Sequence, residues 1–127
     1  MLVIEGKIFT FRGQIPVEKL KVGDLILDRE HSVRRLLGIK KGTTDKVLKF
    51  RNNSLVVSAD AYIYTAHGAK QLEDNQEVKV RKEDMLMTTD VAYIVNEHKE
   101  GYELVVEDGT NIFVNGYNVE LGGNSDD

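Results

Sequence analysis

Cysteine is absent from the 127-residue chain, which excludes a disulfide framework, a thiolate nucleophile and a cysteine-built metal site. That absence fits a reducing compartment. Proline occurs once, and no apolar run approaches the ~20 residues of a membrane-spanning helix. The start, Met1-Leu-Val-Ile-Glu-Gly-Lys7, lacks the basic opening and long apolar centre of a secretory signal. A soluble, cytoplasmic protein with no membrane partner is expected. The basic excess of a general nucleic-acid binder is missing too: seventeen Lys and Arg stand against twenty-one Asp and Glu, for a net charge of −4. Nucleic acid is therefore not expected as a partner. The three histidines, His31, His67 and His98, are scattered and show no metal-ligand spacing, so neither a metal nor another cofactor is expected.

What is present is the pattern of an all-β domain. The length suits one domain able to bury roughly two-thirds of its unfolded surface. Eleven glycines and the Asn/Asp clusters punctuate short β-branched segments. Lys7 to Phe11 alternates as a strand, with Ile8 on one face and Phe9 and Phe11 on the other, and Gly13 turns it. Val17 to Val22 reads as a short connection pinning Leu20 and Val22 inward. Leu25-Ile-Leu27 reads as a buried strand and Val33 to Ile39 as another, followed by a loop at Gly42 to Asp45. Val47–Phe50 and Ser54–Ser58 flank Arg51-Asn-Asn53 as a hairpin. Tyr62–Tyr64 and Ala92–Val95 read as strands. Gln71 to Val80 is ambiguous but carries too few large apolar residues for a long helix, and Lys82-Glu-Asp84 reads as a turn.

Gly101 to Leu121 reads as a closing hairpin. Glu107-Asp-Gly109 would turn the strand of Leu104 and Val106 into Ile112-Phe-Val114. Asn115-Gly116, both tolerant of positive φ, would then turn the chain into a last strand, Tyr117 to Leu121. The domain is expected to span 1–121, with 122–127 a flexible tail. Leu20-Lys-Val-Gly-Asp-Leu-Ile-Leu27 is echoed by Val80-Arg-Lys-Glu-Asp-Met-Leu-Met87, as two halves of similar plan would produce.

Four stretches, in order, resemble the Hint domain, the self-processing module of inteins and hedgehog C-terminal regions. They are Val3-Ile-Glu-Gly6 through Leu27, Leu55-Val-Val-Ser-Ala-Asp-Ala-Tyr-Ile-Tyr-Thr65, Glu83-Asp-Met-Leu-Met-Thr88, and Tyr102 to Leu121. The resemblance implies a compact, pseudo-twofold, all-β horseshoe with its termini meeting at the centre. The family chemistry it implies needs an N-terminal Cys or Ser nucleophile, a Thr and a His that polarise the peptide and protonate the leaving amine, and a closing His-Asn pair. Carried over by position, the nucleophile falls at Leu2, the threonine at Ser58, the histidine at Ala61, a further closing-block histidine at Thr110, and the His-Asn pair at Glu120-Leu121. Only Ser58 keeps a comparable group. A catalytically degenerate domain is expected.

Other candidates carry ordinary structural readings. Asn124-Ser125 looks like a splice junction, yet no histidine precedes it, and a polar tail explains it. Ser58, Asp60 and His67 make a hydrolytic triad only if geometry joins them. Asp24 and Asp84 read as turn residues. Arg34-Arg35 with Lys40-Lys41, and Lys79 with Arg81-Lys82, read as solvated strand faces. Tyr62, Tyr64, Tyr102 and Tyr117 read as an interface patch or as core, core being expected for at least two. The leading expectation is a stand-alone Hint-like structural or protein-interaction module with a protein partner or larger assembly, such as a phage particle, and no small-molecule substrate. The alternative is a self-splicing or self-cleaving domain, or an inactivated fragment of one.

Overall fold

A computed structural model describes residues 1–83 and 86–121. Among the described residues, twelve strands join in one antiparallel sheet that folds around the core. They are β1 (Val3–Glu5), β2 (Lys7–Thr10), β3 (Gly13–Pro16), β4 (Leu25–Leu27), β5 (Val33–Phe50), β6 (Val56–Ser58), β7 (Tyr62–Thr65), β8 (Gly68–Gln71), β9 (Gln76–Lys82), β10 (Leu86–Val106), β11 (Asn111–Val114) and β12 (Tyr117–Glu120). Short 3-10 turns at Val17–Lys19 and Arg51–Asn53 are the helical elements among the described residues.

The spine is the pair β5–β10, aligned antiparallel from Ala92 opposite Phe50 to Val106 opposite Leu36. It overturns the expected loop at Gly42–Asp45. Those residues have weak local strand propensity, but β10 supplies a strand partner to Gly42, Thr43 and Thr44, with Asp45 at a register irregularity, and Gly42 lies opposite Gly101. Pairing also revises the closing hairpin. Asn115 (φ 51°) and Gly116 (φ 88°) make the tight turn that joins β11 to β12, as expected. Glu107–Gly109 does not close a hairpin. β10 pairs with β5, β1 and β9, while β11 pairs with β12 and β2.

The two halves repeat. The β2–β3 hairpin pairs Thr10 with Gly13, and β7–β8 pairs Thr65 with Gly68. In the first, Thr10 Oγ1 donates to the Gly13 carbonyl (2.7 Å) and accepts from the Arg12 N–H (3.2 Å). In the second, Thr65 Oγ1 donates to the Gly68 carbonyl (2.8 Å) and accepts from the His67 N–H (3.0 Å). Thr10 then sits opposite Ile26 of β4, and Thr65 opposite Val80 of β9. The equivalent of Leu25–Leu27 is therefore Lys79–Arg81. The sequence echo that matched them to Met85–Met87 is out of register; Asp84 and Met85 themselves lie outside the described residues.

Ile8, Ile26, Leu36, Leu48, Phe50, Leu55, Ile63, Ile112 and Tyr117 are among the buried core side chains. Val22 is not: it is 65% exposed in the Lys21–Gly23 turn, where the Gly23 N–H reaches the Leu36 carbonyl and leaves the neighbouring side chain outside. Only Ile26 of Leu25–Leu27 is fully buried, because β4 is covered on one face. Tyr117 is core, edge-on to Phe50 with centroids 4.9 Å apart, and Tyr102 packs against the core, whereas Tyr62 and Tyr64 are half-buried.

The Tyr117 hydroxyl donates to Asp90 Oδ2 (2.6 Å) and lies 3.1 Å from Ser54 Oγ. Burial first, and the Asp90 carboxylate next, push its pKa up to about 12. Its folded value is above its unfolded one, near 10. The stabilisation is therefore complete below pH ~10 and is lost as pH rises toward about 12. Tyr117→Phe is expected to cost ~1–2 kcal/mol at neutral pH. In urea titrations the gap between wild type and variant should close between pH 10 and 12; a pH-independent gap would contradict the assignment.

Candidate functional site

Leu2 lies directly on the spine. A Cβ on Gly101 would stand 2.9 Å from Leu2 Cβ and 3.0 Å from the Val3 carbonyl oxygen, and one on Gly42 would stand 3.2 Å from Leu2 Cδ2. The facing glycines thus make the seat into which the first strand descends. Ser58 fixes it there from the other side. The Leu2 N–H donates to Ser58 Oγ (2.7 Å), and the Ser58 N–H donates to the Leu2 carbonyl (2.9 Å). Ser58 Oγ in turn donates to Asp60 Oδ1 (2.5 Å), whose other oxygen is 3.6 Å from the Met1 ammonium. Ala61 is buried, with its N–H on the Ser58 carbonyl (3.1 Å). A cavity of about 540 Å³ opens beside this cluster, lined by Leu2, Ser58 and Asp60 with Thr43, Lys46 and Gln71.

The closing-block positions form a second cluster. The Leu121 N–H donates to the Thr110 carbonyl (2.8 Å), and Leu121 Cδ1 approaches so near that a Cβ on Gly109 would be 2.9 Å away. Thr110 Oγ1 accepts from Asn111 Nδ2 (2.9 Å), and Glu120 pairs across β11–β12 with Asn111. Leu2 therefore packs over Gly101 of β10, and Leu121 shares a shallow cavity with Glu103–Val106 further along the same strand. Leu2, Ser58 and Ala61 come together, as do Thr110, Glu120 and Leu121.

Several chemistry-bearing residues are placed elsewhere. His67 is exposed in the β7–β8 turn, and the side chain hydrogen-bonded to Ser58 Oγ is Asp60, so the triad of Ser58, Asp60 and His67 is not assembled. His98 Nδ1 meets Asp45 Oδ1 at 2.6 Å on the exposed edge of the spine. His31 sits at φ 63° in the loop after β4. Among the described residues, no three His, Asp or Glu side chains converge as metal ligands. Asp24 caps its turn, accepting from Arg12 and from the Lys21 N–H; the Arg12 guanidinium holds its pKa below the ordinary carboxylate value. Asp84 and the Asn124-Ser125 pair lie outside the described residues.

Two buried asparagines went unnoticed in the sequence. Asn111 Oδ1 accepts from the Arg29 N–H (2.8 Å) and from Asn118 Nδ2 (2.9 Å), and Asn111 Nδ2 reaches Glu30 (3.0 Å). Their signal was available: Asn111 and Asn118 stand beside the apolar residues Ile112–Val114 and Val119, where a buried amide needs partners. The network ties the loop after β4 to the closing hairpin. It also brings Arg29 over the Tyr64 ring, 4.4 Å from its centroid. Burial and then Glu120 raise the Tyr64 pKa.

Solved structures with a similar fold include inteins. The gp41-1 intein superposes with a TM-score of 0.73 over 95% of this chain and 97% of its own, at 15% identity. The chain has the Hint fold. A variant of the Ssp DnaB mini-intein matches 99% of the chain and 96% of its own at TM-score 0.69 and 14% identity. A bacterial intein-like domain from Clostridium thermocellum matches 94% and 97% at TM-score 0.69 and 17% identity. No family model and no curated protein sequence matches the chain. At these identities the likeness is one of fold.

The glycine seat is testable. Gly101→Ala is expected to cost ~1–3 kcal/mol, because the new methyl meets Val3 backbone as well as Leu2. Gly38→Ala, whose Cβ would be no nearer than 3.8 Å to its neighbours, should stay within ~0.5 kcal/mol of wild type. Urea denaturation measures both, and amide exchange at Leu2 should rise selectively in the first.

Proposed function

We propose that this Hint-fold domain is catalytically degenerate and serves as a structural or protein-interaction module. The observation that carries the reading is Leu2. It occupies the family's nucleophile position with a side chain of carbon and hydrogen, packed against Gly42 and Gly101. Acyl transfer to that residue has no atom to begin on. Ala61 adds support, since a methyl group transfers no proton to a leaving amine. So does Leu121, which has no amide to cyclise and packs over Gly109. Folds persist where their shape is useful, and a protein partner or a larger assembly such as a phage particle is the setting we favour, in the cytoplasm or a virion.

One observation favours the alternative of self-processing. Ser58 Oγ accepts a hydrogen bond from the Leu2 N–H, the peptide a Hint nucleophile would attack from its C-terminal side. A hydroxyl so placed orients that peptide. Orientation without a nucleophile or a general acid leaves the bond intact.

The two readings separate in a precursor carrying protein flanks on both ends. Intact mass is expected to show one uncut, unspliced species, and Leu2→Cys alone should remain uncut. Thiol-dependent release of the upstream flank is expected only when Leu2→Cys is combined with Ala61→His. Spontaneous cleavage of the unaltered precursor would reject the proposal.

A further inference from the structure

One outer sheet face of the first half carries two rows of apolar side chains, several of them exposed among the described residues. Phe9 stacks on Phe113 with centroids 5.0 Å apart, and Phe9, Phe113 and Leu27 line one cavity. Leu27 pairs with Val33, so a single row crosses β11, β2, β4 and β5. A second row lies beside it: the Phe11 N–H bonds the Leu25 carbonyl, and Leu25 faces Arg35. Phe11 is 73% exposed, Val33 47%, and Leu37, just beyond Arg35, 49%.

The fold does not require apolar residues here. The second half repeats the same pairings with Tyr64, Arg81 and Met87 in the first row and Ala66, Lys79 and Thr89 in the second. The equivalents of Leu27, Leu25 and Arg35 are thus Arg81, Lys79 and Thr89, so basic and polar side chains serve at positions of the same sheet geometry where the first half has leucines. An exposed apolar surface of this kind, bordered by charge, marks an interaction site.

The local charge and shape describe the occupant. The cavity in the first row is about 220 Å³, the scale of one side chain and below that of a small-molecule pocket. Asp28 and His31 complete its lining, and Asp28 does not invite a cation. Its Oδ1 accepts from the Glu30 and Ser32 N–H groups, and its Oδ2 meets Arg34 Nε at 3.4 Å. In the second row Arg35 stands exposed among Leu25, Val33 and Leu37, with no ion pair among the described residues. Arg12, by contrast, is held by Asp24 at 3.0 Å. A guest seated here must match a cavity walled by Phe9, Leu27 and Phe113 and a guanidinium with no ion pair among the described residues.

We propose that this face docks a partner polypeptide segment presenting an apolar anchor beside acidic side chains, the anchor entering the Phe9–Leu27–Phe113 cavity and an acidic group pairing with Arg35. The inference rests on the reading of the domain as an interaction module and names the surface that does the interacting.

The test uses a fluorescein-labelled synthetic peptide of about nine residues with a central Phe and Leu flanked by Glu, and a twin with Lys in place of Glu. Anisotropy should show saturable binding at least ~10-fold tighter for the acidic peptide, with amide shifts mapping to β2, β4 and β5. Phe9→Tyr combined with Leu27→Arg, which installs in the anchor cavity the residues found at Tyr64 and Arg81, should abolish binding while thermal unfolding still shows a folded domain. Arg35→Glu should transfer the preference to the Lys peptide, a readout that loss of structure cannot mimic. Equal affinity for the two peptides, or unchanged binding by the double variant, would overturn the proposal. So would a concentration-dependent dimer that the double variant dissolves, because a second copy would then occupy the face. The precursor mass experiment is independent of these results: failed docking with an uncut precursor removes the surface and leaves the module reading.

Discussion

The structure depends on one backbone ladder, β5 against β10, and on the pair of glycines at its middle. Long antiparallel strands can exist as a two-stranded ribbon only when something buries their faces. Here the flanking hairpins do so, β2–β3 with β4 on one side and β7–β8 with β9 on the other. Where the ribbon changes from one half to the other, Gly42 faces Gly101 and the first strand crosses over them. A side chain at either position would lift Leu2 away from the ladder and with it the two hydrogen bonds that join Leu2 to Ser58. The N-terminal seat, the β1–β6 pairing and the cavity beside Ser58 all follow from that shortage of atoms.

The closing hairpin is the second fastening. Asn115 is bound at three points: its N–H on the Lys7 carbonyl, its Oδ1 on the Lys7 N–H, and its Nδ2 on the Ser54 carbonyl. A turn residue chosen for positive φ thus also holds β2 and the Arg51–Asn53 turn. Asn111 and Asn118 do similar work at the other end. Asn118 Oδ1 is left without a partner among the described residues, so this buried amide pair is incompletely satisfied. Amides in this hairpin act as joints between segments far apart in sequence, while the apolar residues between them fill the core.

Much of this was legible from residues. Alternation exposed β2 and the strands beside Arg51-Asn-Asn53, and Asn115-Gly116 announced its own turn. What failed did so because partners are invisible in one dimension. Gly42-Thr-Thr-Asp45 looks like a loop until β10 is laid beside it. Glu107-Asp-Gly109 looks like a hairpin turn until Val106 is found paired to Leu36. Val22 looks like core because apolar residues usually are, but its turn is held by backbone bonds that leave it outside. The internal repeat was suspected from the wrong residues. Apolar triplets are common enough to match by chance, whereas the Thr-x-x-Gly turns at Thr10 and Thr65 carry the repeat through their hydrogen bonds. Within the site, the grouping of Leu2 with Ser58 required the family comparison, and the exclusion of His67 required geometry.

Ser58 shows how positioning and chemistry come apart. In the proposed reading its hydroxyl has no reaction to assist, yet its contact to the Leu2 N–H is short and is backed by Asp60. The physical reason is that the same bond is structural. Removing it would leave a partly buried N–H unpaired at the point where the first strand enters the fold. A nucleophile can be replaced by leucine with a gain in apolar packing, and a general acid by alanine with no orphaned partner. The hydroxyl that orients the peptide has no comparably cheap replacement. Under that reading, loss of reactive groups with retention of the orienting one is the pattern that a processing fold kept for its shape would leave.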